Sequence, residues 1–202
     1  GTTTFVAGQY GNSSSFNGTT QYLSKASSSN LPTGSIATAV AWVNPTGTYN
    51  DGNYNGIVAW GDRTSYDTFL MSLRNDGKLS FNAWGNNIYQ TAGSALSNNT
   101  WSQVAVTLNG TAVSFYLNGV LVDTGTVTNT PNIGSTGGLS IGATDMGGRY
   151  FSGKIDELRI YNRALSAQEV SDLYNAENAS PTTPTPTPTS TPTGSTPTLS
   201  IT

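Results

Sequence analysis

Between Gly153 and Val170 the sequence reads Gly-Lys-Ile-Asp-Glu-Leu-Arg-Ile-Tyr-Asn-Arg-Ala-Leu-Ser-Ala-Gln-Glu-Val, a strand running into a short helix. Ile155, Leu158 and Ile160 supply apolar β-formers, and Ser166 with Glu169 has the spacing of a capping box that opens a helix. Val170, Leu173 and Tyr174 then recur at i, i+3 and i+4, one apolar stripe. Upstream the pattern is short alternating runs separated by turns. Candidate strands cover residues 16–23, 36–44, 57–60, 68–74, 78–84, 101–108, 112–117, 120–124, 138–141 and 150–161. Asn75-Asp76-Gly77 and Asn118-Gly119 sit between such runs, the strongest short-range hairpin signal a sequence carries.

Composition agrees. Gly, Ser, Thr and Asn dominate, and only 9% of residues are charged, which disfavours a helical bundle or coiled coil. The net charge is −3, with 8 Lys and Arg and no basic run, so a nucleic-acid partner held by counterion release is not expected. No apolar run is long enough to span a bilayer, so no membrane insertion is expected. The chain has no Cys and no His, which removes disulfides, Ser-His-Asp and Cys-His catalysis, and imidazole metal sites. A metal, if held, would be a hard cation on oxygen ligands, with Ca²⁺ first.

From residue 180 to 197 the composition changes, and six of the nine prolines alternate there with threonine. Such a stretch cannot bury a core and favours extended polyproline II. The expected organisation is a domain over residues 1–178 and a Pro/Thr-rich linker over 179–202 leading to further modules of the same polypeptide. Leu199 to Thr202 alternates like the start of a strand and could support self-association through the tail.

The Gly153 to Ser166 stretch resembles the terminal strand of laminin-G-like, concanavalin-A-like jelly rolls of secreted and surface proteins. Phe16-Asn17-Gly18 is similar to the family's early F-[DN]-G motif. Ala41-Trp42-Val43, Trp101-x-x-Val104-Ala105-Val106-Thr107 and Tyr116-Leu117-Asn118-Gly119 resemble its central strands, in order, over residues 10–176. The resemblance implies an all-β, two-sheet antiparallel jelly-roll sandwich with a short C-terminal helix and an extended Pro/Thr-rich tail. It also implies that Trp42 and Trp101 pack structurally; Trp60 is left open.

In that superfamily the aspartate matching Asp156 often helps bind a structural Ca²⁺ with backbone carbonyls near a glycine resembling Gly18, so the implied metal residues are Asp156, Gly18 and Asn17. Asn17 stands where many relatives carry Asp. Asp156 has an alternative, accepting hydrogen bonds from backbone amides or pairing with an arginine, and Asp145 is a further acidic neighbour. Asp51-Gly-Asn53-Tyr-Asn55-Gly56 matches the front of a calcium loop, with Asp62 at position twelve. A strand over 57–60 would instead carry Asp62 about 20 Å from Asn55 at ~3.3 Å per residue, too far for one coordination sphere.

Glycosidase chemistry needs two carboxylates facing each other roughly 5 to 10 Å apart. The E-x-D-x-x-E run of laminarinase-type relatives does not occur, and the only glutamates are Glu157, Glu169 and Glu177. No catalytic residues are expected. Alternation over 78–84 puts Lys78, Ser80, Asn82 and Trp84 on one face, where an indole among polar groups would stack on a sugar ring. The candidate glycan-binding residues are Asn82, Trp84, Tyr89 and Arg74, with Tyr54 and Tyr66 as further loop aromatics. In the competing reading Trp84 closes the sandwich. The expected function is a non-catalytic, secreted or cell-surface recognition module for polysaccharide or surface glycan. The alternative is a structural or adhesive stalk domain.

Overall fold

A computed structural model describes residues 3–47, 54–62, 66–85, 88–91, 93–144 and 148–178. In chain order the strands are β1 (Thr4–Ala7), β2 (Asn12–Asn17), β3 (Leu23–Lys25), β4 (Ile36–Pro45), β5 (Asn55–Gly61), β6 (Thr68–Leu73) and β7 (Leu79–Asn82). They continue with β8 (Ile88–Gln90), β9 (Ser102–Asn109), β10 (Ala112–Leu117), β11 (Val120–Thr126), β12 (Leu139–Ile141) and β13 (Ser152–Tyr161), before helix α1 (Ala167–Asn178). A seven-stranded sheet ordered β1-β2-β13-β4-β9-β10-β11 faces a six-stranded sheet ordered β3-β12-β5-β6-β7-β8, and every pairing between named strands is antiparallel. This is the jelly-roll sandwich the sequence implies.

The core lies between the sheets. Ala37, Ala39, Ala41 and Val43 of β4 alternate inward against Trp60, Phe69, Met71 and Phe81 of the other sheet. The Trp60 ring stacks on Phe69 with centroids 4.1 Å apart, so Trp60 is a core residue. Trp101 is half-buried. Burying side chains of this size contributes about 1.5 to 3 kcal/mol each, which is how a chain without disulfides holds two sheets together.

The expected strand over 16–23 is two strands in different sheets. Asn17 ends β2, and its Oδ1 accepts hydrogen bonds from the amides of Thr19, Thr20 and Gln21. That side-chain turn, with Gly18 at φ 74°, carries the chain from one sheet to the other. Strands β1 and β8 fall outside the candidate strands read from the sequence.

Helix α1 lies on the outer face of the seven-stranded sheet, where Val170 and Leu165 cover Val40, Ala105 and Tyr116. Its capping box forms as the sequence implies: the Ser166 amide donates to the Glu169 carboxylate at 2.8 Å, and the Glu169 amide returns to Ser166 Oγ at 3.3 Å. These bonds, with Arg163 nearby, hold the Glu169 carboxyl below its usual range.

Candidate functional site

Register fixes which loops share an end of the sandwich. Gly61 pairs with Thr68, Leu70 with Asn82, and Leu139 with both Trp60 and Lys25. The segments that follow Lys25, Gly61 and Asn82 therefore leave the same end of the six-stranded sheet. Strand β7 stops at Asn82, so alternation does not extend to Trp84. Instead the buried Asn82 turns its Oδ1 onto the Trp84 amide.

Trp84 adopts φ 69° and Gly85 follows at φ 63°. Left-handed backbone is natural for glycine and costs about 1 to 2 kcal/mol for a residue with a Cβ. The residue is 36% exposed, so its ring stands partly in solvent. Tyr66, which leads into β6 on the adjacent strand, is also left-handed at φ 72°. Two aromatic residues thus occupy strained turns at one end of the molecule.

The other expected glycan residues are not brought to this point. Tyr89 pairs with the inward-facing Phe81, stacks on Phe115 with centroids 5.7 Å apart, and donates its hydroxyl to Thr124 O at 3.0 Å. Its ring lies so closely on Gly125 that a Cβ there would come within 1.9 Å of it. Burial, and then the neighbouring Asp123 carboxylate, push the Tyr89 phenol above its ordinary range. Tyr89 is an edge seal.

Arg74 sits in the β6–β7 turn, ion-paired with Asp76 at 3.2 Å, and its amide bonds to Lys78 O. Strand β7 runs from beside this turn to Asn82, which places Arg74 at the opposite end of the sheet from Trp84. Tyr54 also belongs there, with the Arg149 guanidinium 5.4 Å from its ring centroid.

Asp156, Asn17 and Gly18 do not form one coordination sphere. Asn17 pairs with Ser152, and four residues of β13 separate Ser152 from Asp156, about 13 Å. Asn17 Oδ1 is committed to its own turn. The buried Asp156 carboxylate accepts from the Tyr10 amide and from the Glu157 amide, each at 2.9 Å. A Cβ on Gly8 would meet Asp156 Oδ2 at 2.4 Å, so this carboxylate closes the β1–β2 hairpin against glycine. Of its two readings, the structure has the amide acceptor, and these three residues do not fit a calcium ion. Among the described residues no group of three or more acidic ligands converges.

The calcium-loop match is also dispersed. Asn55 opens β5 and donates to Leu73 O, whereas Asp62 lies past the far end of that strand. Asp51, Asn53 and Asp145 are outside the described residues. Asp62 Oδ1 accepts from the Thr136 hydroxyl at 2.7 Å, and from the Thr136 and Gly137 amides, bonds that hold its carboxyl below the usual range.

Sequence reasoning treated Glu177 as part of the chain's exit. Its carboxylate in fact accepts from Trp42 Nε1 and from Gln103 Nε2, and pairs with Arg159. Glu157 meets the same Arg159 at 2.7 Å. These carboxylates have structural partners and do not face one another across a cleft. No short-range motif announces Glu177, whose partners come from three distant strands.

A family model described as the concanavalin A-like lectin/glucanases superfamily matches residues 17–171. No curated protein sequence matches the chain. Among solved structures, domain 4 of AbnA, an extracellular GH43 arabinanase of Geobacillus stearothermophilus in complex with arabinotriose, is 23% identical. That likeness covers 86% of this chain and 82% of the other, with TM-score 0.65. A heptameric SAP-like pentraxin of Limulus polyphemus is 21% identical over 79% of this chain and 80% of its own, with TM-score 0.59. A Ruminococcus gnavus IT-sialidase CBM40 bound to α2,3-sialyllactose is 16% identical over 75% and 98%, with TM-score 0.55. At these identities the likeness is one of fold.

Proposed function

Because the chain belongs to the concanavalin A-like lectin/glucanases superfamily, we propose that this domain is a non-catalytic module that recognises polysaccharide or surface glycan outside the cell. The observation that carries this reading is Trp84: a large apolar ring, exposed, in a backbone conformation that glycine would occupy at lower cost. Strain kept at an exposed aromatic residue points to a role in contact with a ligand. Asn82 fixes the turn, and the indole face offers a pyranose or furanose the flat apolar surface that sugars stack on. Similar folds include an arabinanase domain with arabinotriose and a CBM40 with sialyllactose, which supports a saccharide ligand.

The non-catalytic part rests on the carboxylates, since Asp62, Asp156, Glu169 and Glu177 each hold neighbouring backbone or side chains. The test is a glycan array probed with the 202-residue chain, followed by calorimetric titration of any hit and assay of that hit for cleavage. Saturable binding without cleavage is expected. A hydrolysed ligand would contradict the non-catalytic reading, and an array with no hit would contradict recognition.

The second reading, a structural or adhesive stalk module, draws on the edges of the seven-stranded sheet. Phe5 on β1 is 70% exposed, and Val120 and Leu121 on β11 are 64% and 45% exposed. Exposed apolar edge strands are templates for strand pairing between copies. Concentration-dependent self-association, with no saccharide bound, would favour it.

A further inference from the structure

We infer that the same end of the sandwich carries a second saccharide site, a cleft between the loop preceding β4 and the end of β13, and that it takes an uncharged sugar unit. The inference rests on the glycan-binding reading above and extends it to residues that neither the sequence motifs nor Trp84 indicate. The cleft encloses about 600 Å³, within the range of small-ligand pockets. Asn30, Thr33, Tyr161 and Asn162 supply hydrogen-bonding groups around it, while Ile36, itself 44% exposed, and Ile160 supply apolar surface. A sugar ring presents both kinds of surface, hydroxyls at its rim and C–H groups on its face.

The loop is held before any ligand arrives. Trp60 Nε1 donates to Pro32 O at 2.9 Å, and Gly34 and Ile133 exchange amide-carbonyl bonds at 2.8 and 2.7 Å. The Ser28 amide is bonded to Gly137 O and the Leu31 amide to Ser28 O. These bonds tie the loop to β5 and to the 133–137 segment, and the exposed side chains of Asn30 and Thr33 remain at the surface. A wall fixed in advance lowers the ordering cost of binding.

Charge decides the class of ligand. The cleft is lined by no carboxylate, lysine or arginine, and the two arginines that adjoin its lining in sequence are each ion-paired, Arg159 with Glu157 at 2.7 Å and Arg163 with Glu169 at 2.6 Å. A sialic or uronic acid would bring a carboxylate with no cation to meet it, whereas a neutral hexose or pentose brings only hydroxyls.

The test is amide chemical-shift mapping of the full chain with arabinotriose, cellotetraose, xylotetraose and maltotetraose to about 10 mM, a range that detects even millimolar affinities. Sialyllactose is the charged comparison. At least one neutral saccharide should shift resonances of residues 29–36 and 160–162. The double variant Asn30→Ala, Thr33→Ala should weaken that response about tenfold or more. Shifts confined to Trp84 and Tyr66 would overturn the second site while sparing the glycan reading. Shifts nowhere, with any of these saccharides, would overturn both. A response to sialyllactose in the cleft as strong as to the neutral sugars would overturn the assignment of ligand class.

Discussion

The indole of Trp42 donates a hydrogen bond to the carboxylate of Glu177, 135 residues later in the chain. Tyr174 stacks on the same indole with centroids 5.8 Å apart, so the last two turns of α1 are fastened to the middle of the seven-stranded sheet. An acid in the last turn opposes the helix dipole, a cost of about 0.3 to 1 kcal/mol. Its bonds to Trp42, Gln103 and Arg159 outweigh that cost. Trp42 is therefore structural as the resemblance implies, though it packs beneath the helix and not between the sheets.

Glu177→Ala should destabilise the domain by about 1 to 3 kcal/mol, since Trp42 Nε1 and the Gln103 amide lose their acceptor and Arg159 its half-buried partner. Denaturant unfolding of the purified variant reads this directly. A loss below about 0.5 kcal/mol would show that the hub does not hold the helix.

Two truncations sharpen the point. A chain ending at Asn178 should melt like the full chain if residues 179–202 are a spacer, whereas one ending at Ala176 should lose stability comparable to Glu177→Ala. Equal melting of all three would remove the hub. A loss already present at Asn178 would show that the tail packs on the domain.

Asp62 makes stability depend on pH. Its folded carboxyl titrates below the ordinary value of about 3.9, so the folded state favours the ionised form. The contribution is present above about pH 4 and is lost as pH falls through the lower folded value. Asp62→Asn should therefore melt below wild type at pH 7, and the gap should narrow as the pH falls below about 4. A constant gap across that range would mean that the charge on Asp62 plays no part.

With Asp156 serving amides and standing about 13 Å from Asn17, melts in EDTA and in calcium chloride should coincide. Asp156→Ala should cost about 1 to 3 kcal/mol by leaving the Tyr10 and Glu157 amides without their acceptor. A melting temperature that falls in EDTA and returns with Ca²⁺ would contradict this assignment.

Local chemistry was legible from sequence wherever partners are close. The Ser166–Glu169 cap, the hairpin turns and the alternation of β4 all depend on residues within a few positions. The two-sheet architecture followed from motif order. What escaped depends on long-range placement: Asn17 turning the chain between sheets, Tyr89 sealing an edge, and Glu177 gathering three strands. Trp84 was singled out by alternation, yet it is exposed because β7 ends two residues earlier and a left-handed turn follows.

The central claim is that Trp84 is kept for a ligand and not for the fold. Its most direct test is Trp84→Gly, measured for glycan affinity by calorimetry and for stability by denaturant unfolding. Glycine relieves a left-handed strain of about 1 to 2 kcal/mol, which offsets the lost packing of a partly exposed ring. The variant should unfold within about 1 kcal/mol of wild type and lose at least tenfold in affinity for the polysaccharide that wild type binds. A variant destabilised by about 3 to 5 kcal/mol, as truncation of a core tryptophan would be, or one that keeps full affinity, would contradict the account.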